Sequence, residues 1–149
     1  MDPVVAKMEE LFKSVHGQLR DEVRGVPAEE LNWKPAPDTN SIAALVVHTL
    51  GSEAEVWRVA ANVSGDRDRD AEFRAMADDS ESLLRELDQA DSYVEALAPR
   101  VTAQDLDTVR PRGDREPQTS LHWLVTNYGH AREHLAHIQL TKQLYEQAK

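Results

Sequence analysis

Residues 119–140 read TSLHWLVTNYGHAREHLAHIQL, and the spacing within this stretch decides the fold class. Leu121, Leu124, Tyr128, Ala131, Leu135 and Ile138 recur at alternating steps of three and four, which places them on one stripe of an α-helix. Thr119 or Ser120 is a natural N-cap for it. Three other segments carry the same periodicity. The first opens at Asp2 and Pro3, runs through Val4, Met8, Leu11, Phe12, Val15, Leu19 and Val23 to about Arg24, and stops at Gly25. The second is capped by Asn40 or Ser41 and reaches about Val63; its start, Ile42 to Val47, is apolar nearly all round and therefore centrally buried. The third runs from about Asp79 to Leu97, with Leu83, Leu87, Ala90, Val94, Leu97 and Val101 forming a narrow seam. No run alternates as a strand does. The sequence thus predicts an all-α four-helix bundle, one domain over residues 1–149, with two long linkers that allow a crossover.

The linkers are residues 26–40 (VPAEELNWKPAPDTN), an ordered loop in which Trp33 plugs the bundle end, and Thr102 to about Gln118. A polar connection, SGDRDRD at 64–70, joins the second and third helices. The chain has no cysteine, which excludes disulfides, thiolate ligands and a cysteine nucleophile, and fits a cytoplasmic setting. The acidic, interrupted N-terminal segment is expected to be neither a signal peptide nor a membrane anchor. A net charge of −10, from 27 acidic against 17 basic residues, repels nucleic acid and anionic membranes and attracts divalent cations.

His130 and His134 lie one turn apart on the same helix face, with Cβ atoms about 6 Å apart, so two imidazoles can reach one ion at ~2.1 Å. They flank the apolar seam rather than oppose it; the alternative is a pair of merely hydrogen-bonded histidines at the bundle edge. His48 interrupts a strongly apolar run, where an unpaired imidazole costs about 1–3 kcal/mol. It needs a partner, either a metal shared with the last helix or a backbone carbonyl or water.

The ordered pair of segments, LNWKPAPDTNSIAALVVHTL at 31–50 and TSLHWLVTNYGHAREHLAHIQL at 119–140, resembles the DinB/YfiT-like superfamily of metalloenzymes. That resemblance implies a four-helix bundle, commonly a homodimer, in which His48, His130 and His134 bind a divalent metal, zinc or nickel, with water completing the sphere. It also implies a metal-dependent enzyme of the thiol-dependent transferase type, using a low-molecular-weight thiol, or a hydrolase, acting on a small molecule. Two other readings stay open: a bundle that binds metal or a small molecule without turnover, and a bundle with no metal.

No general base stands out, because Ala131 occupies the position after His130. Glu133 is expected to pair with His137 on the surface. Glu55 either faces solvent or supports the site, and Asn127 is placed to orient a ligand. His137 lies about 10 Å along the helix from His130, which suits a supporting role better than ligation. His122 reads as structural and His16 as surface or seam, while Trp57, Trp123 and Tyr128 read as core.

Overall fold

A computed structural model describes residues 1–149. Helix α1, Pro3–Val23, begins where the Asp2 carboxylate accepts the amides of Val4 and Val5, and ends before Gly25, whose φ of 73° suits a residue without a side chain. Within the first linker, α2 (Ala28–Leu31) is a single turn. Helix α3, Ile42–Ala61, is capped by the Ser41 hydroxyl, which accepts the Ala44 amide at 3.0 Å. It stops before the expected Val63 because Asn62 adopts the left-handed conformation, φ 56°. The polar connection folds into a further short helix, α4 (Arg69–Phe73), capped by Asp68. Helix α5, Ser80–Leu97, starts at Asp79 and runs into a 3₁₀ turn, Ala98–Arg100. The second linker is more ordered than its prolines suggest. It contains α6 (Ala103–Asp107), opened by a reciprocal Thr102–Asp105 capping box, and an antiparallel pair of two-residue strands, β1 (Val109–Arg110) and β2 (Gln118–Thr119). Helix α7, Ser120–Ala148, closes the bundle.

The four long helices form a square in which α3 packs on α5 and α7, and α1 packs on the same two. The helices joined by the long linkers, α1 with α3 and α5 with α7, therefore sit diagonally. The short connection joins neighbours. This is why two linkers must be long: each has to cross an end of the bundle. Trp33 lies at one such end, half-buried and edge-on to Tyr145 at 5.4 Å. No helix is long and apolar enough to cross a membrane.

The core is two apolar clusters. One gathers Val15, Leu19, Ile42, Leu87 and Leu135; the other gathers Phe12, Val56, Trp57, Val94 and Leu124. A polar layer crosses the bundle between them. His16, which the sequence placed at the surface or seam, is fully buried there. Its Nε2 meets Glu53 at 2.5 Å and its Nδ1 meets Asp91 at 2.7 Å, and Arg20 pairs with the far oxygen of Asp91. Burial pulls the His16 pKa down, but the two carboxylates more than restore it, and the net direction is up. Val4, by contrast, turns outward at the edge of its stripe.

Candidate metal centre

His48 sits on α3, with 4% of its surface exposed, against the face of α7 that carries His130 and His134. The three imidazoles offer one ligand atom each, all within 4.8 Å of one another. The Nε2 of His130 is 3.3 Å from that of His48 and 2.9 Å from that of His134. Two nitrogens sharing one ion at ~2.1 Å, at angles between square and tetrahedral, lie about 3.0–3.4 Å apart; the first spacing falls inside that range and the second just under it.

The protonation pattern supports the fit. The His48 Nδ1–H donates to Glu72 Oε1 at 3.0 Å, which turns its Nε2 inward toward the other two rings. His130 Nε2 takes part in both close contacts and carries at most one proton. His130 Nε2 cannot donate to both neighbours at once, so the two close nitrogen contacts are not both satisfied as hydrogen bonds, whereas one cation would satisfy them together. Burial first, then the charges of His48, Arg112, Arg67 and Arg115, pushes the His130 pKa down to about 4. Burial and the neighbouring His130, His48 and His137 push His134 down to about 3. Both rings are held in the neutral form that ligation requires.

Glu72 is the support that local spacing does not reveal. It comes from α4, where both of its oxygens accept from Arg67, at 2.9 and 3.0 Å. Burial pushes its pKa up, but the hydrogen bonds from His48 and Arg67 hold it below the usual carboxylate range. It passes over α3 at Gly51, where a Cβ would lie 1.9 Å from Glu72 Oε2. Phe73, the next residue, stacks on the His48 ring with centroids 4.3 Å apart. Arg67, Gly51, Glu72 and Phe73 all escape the sequence reading. A five-residue helix is too short for a periodic pattern, and the only local signal is the Asp68 cap.

Glu55 faces neither open solvent nor the histidines: it accepts from Arg112 Nε at 2.6 Å and from Arg67 at 3.4 Å. Asn127 is buried and donates to the Ser52 hydroxyl at 2.7 Å, which also accepts from Arg112 at 2.9 Å. The expected Glu133–His137 pair does not form. His137 instead brings its Nδ1 to 3.2 Å from that of His134, at the outer edge of the site, and Glu133 stays exposed. His122 is exposed near the start of α7, edge-on to Trp123.

A cavity of about 270 Å³ opens beside His48 and His130. A larger one of about 380 Å³ lies between α3 and α5, with Val47, Leu50, Ala90 and Val94 in its wall. It reaches Glu53 and Glu72 but none of the three histidines, so the smaller cavity is the one that serves the site.

Residues 11–138 match the model of the DinB superfamily. No curated protein matches the chain in sequence. Among solved structures, a DinB-like protein from Bacillus cereus is similar at a TM-score of 0.73 and 16% identity, covering 95% of this chain and 90% of that one. A conserved protein from Enterococcus faecalis is similar at 0.74 and 15%, covering 97% and 98%. A candidate DinB-family member from Exiguobacterium sibiricum is similar at 0.70 and 19%, covering 98% and 94%. At these identities the likeness establishes the shared fold.

Proposed function

Because the chain belongs to the DinB superfamily, and because three imidazole nitrogens converge in it, we propose that it is a metal-dependent enzyme acting on a small molecule. His48, His130 and His134 are the ligands of one divalent ion, zinc or nickel, and the reaction is a thiol-dependent transfer or a hydrolysis. The observation that carries this reading is the convergence of the three rings within 4.8 Å, two of them with pKa values driven far below the ordinary range.

When bound, the ion supplies Lewis acidity, making a water or a small thiol acidic enough to serve as a nucleophile near neutral pH. The protein's own residues prepare that chemistry. Glu72 fixes the tautomer and orientation of His48, and Arg67 in turn fixes Glu72. Neither a carboxylate nor a cysteine joins the three nitrogens, so the donor set is neutral and leaves the cation's charge intact for an incoming ligand. Ser52 and Asn127 stand at the cavity wall as hydrogen-bonding groups for that ligand.

Metal analysis of protein purified from metal-replete cells tests the centre. About one equivalent per chain is expected, falling to near zero in His48→Ala and His130→Ala; fewer than about 0.2 equivalents in the unsubstituted protein contradicts it. A screen of thiol-transfer and hydrolysis reactions, run on metal-loaded protein beside His130→Ala, tests the activity. Turnover confined to the unsubstituted protein is expected, and a flat screen reduces the protein to a metal binder.

A further inference from the structure

We propose that the cavity beside His48 and His130 binds a small dianion, a dicarboxylate or a phosphate monoester, and that this is the substrate class of the metal centre. The proposal rests on the reading of the three histidines for its chemistry, but the anion site itself stands on other residues.

In a chain of net charge −10, four arginines line this one cavity: Arg67, Arg69, Arg112 and Arg115. They come from two separate segments, the approach to α4 with its first residue and the connection between β1 and β2, so no single basic run accounts for them. No carboxylate lines the cavity. Two stand behind it: Glu55 takes up Arg112 and Arg67, and Glu72 takes up Arg67. Arg69 and Arg115 have no acidic partner. Arg69 lies over the Phe73 ring, its guanidinium carbon 4.9 Å from the centroid. Four guanidinium groups against two carboxylates leave an excess of two positive charges, before any divalent ion is counted.

Such an excess is costly beside a cation site unless something negative enters with the cation. The crowding registers on Arg112. Burial, together with Arg115 and Arg67, pushes the Arg112 pKa down even though Glu55 pulls it up. Arg112 is 8% exposed and pinned through Glu55 and Ser52, so its guanidinium is preorganised rather than free to swing into solvent.

Size narrows the class. At about 270 Å³ the cavity is below the range of drug-sized pockets, ~300–1,000 Å³, and its lone hydrophobic wall is Trp123. An extended or apolar ligand finds no surface there. A compact acid with two charges matches both the volume and the excess.

The test is calorimetric titration with inorganic phosphate and, separately, with succinate, on zinc-loaded and on chelator-treated protein. The same titrations are run on an Arg69→Gln/Arg115→Gln variant, whose changed side chains are exposed at the rim and so should leave folding intact, as checked by thermal melting. Saturable one-site binding of at least one probe is expected, weakened tenfold or more in the variant, while zinc content is unchanged. Preference for phosphate points to a phosphate ester, and preference for succinate to a dicarboxylate. Absence of saturable binding in zinc-loaded protein, or equal affinity in the two proteins, overturns the inference. Arginine-dependent binding by a protein that retains no zinc supports the anion site and refutes the metal reading instead.

Discussion

Replacing Gly51 by alanine is expected to weaken metal binding about 10- to 100-fold without unfolding the bundle. The new Cβ would lie 1.9 Å from Glu72 Oε2, 2.6 Å from its Cδ and 3.2 Å from Oε1. To restore ordinary contact the carboxylate must retreat by about 1.5 Å. Its hydrogen bonds to His48 and Arg67 are 3.0, 2.9 and 3.0 Å long, and tolerate only about half an ångström of stretch. The retreat exceeds that margin roughly threefold, so His48 loses the group that sets its tautomer. Stability should move far less. Alanine gains about 1 kcal/mol over glycine inside a helix, and this offsets part of the lost ion pairing. The assay is zinc competition against a chromogenic chelator, with thermal melting of the metal-free protein as control and Glu72→Gln as the comparison. Both variants should lose affinity to a similar degree. Wild-type affinity in Gly51→Ala, with melting unchanged, would refute the argument that Glu72 orients His48.

Metal removal should lower the melting temperature of the unsubstituted protein and leave that of His130→Ala unmoved, because an ion at about 1,000 times its Kd stabilises the folded state by ~4 kcal/mol; equal responses to chelator in the two proteins contradict the centre. In the chelated protein, His130 and His134 titrate near 4 and 3, while imidazoles of the unfolded chain titrate near ~6.5. With folded values depressed, their contribution to stability is whole above the unfolded value and is lost as pH falls through the folded ones. Urea denaturation from pH 7.5 to 5 should therefore show a steeper loss in the unsubstituted protein than in His130→Ala/His134→Ala, and parallel curves contradict the shifts. His16→Ala leaves Glu53 buried without its cation and should destabilise the fold by about 3–5 kcal/mol, most of it recovered in His16→Leu/Glu53→Met. Equal losses in the single and double variants, measured by urea denaturation, argue against a charged layer.

The long helices were legible because their signals are local. A cap, a stripe at steps of three and four, and a terminal glycine are each read within one segment, and the observed bounds of α1, α3, α5 and α7 fall within a few residues of the expected ones. The pairing of His130 with His134 is local in the same sense, since one helical turn sets it. His48 was singled out by the apolar run it interrupts. That its ring meets the other two follows from the packing of α3 against α7.

Length and apolar spacing, as properties of the chain alone, determined that this protein is a helical bundle whose long linkers allow a crossover, and the positions of three histidines against those apolar runs marked them as the residues to watch. Tertiary structure decided what surrounds them. Glu72 reaches His48 from 24 positions away, Arg112 reaches Ser52 from 60, and His16 meets Glu53 across 37 and Asp91 across 75. Each of these side chains is polar and sits in or beside a segment whose local pattern is equally compatible with a solvated face. What turns them inward is the register between helices and the path of two linkers, and that register is set by the whole apolar core at once rather than by any stretch of sequence around the residue.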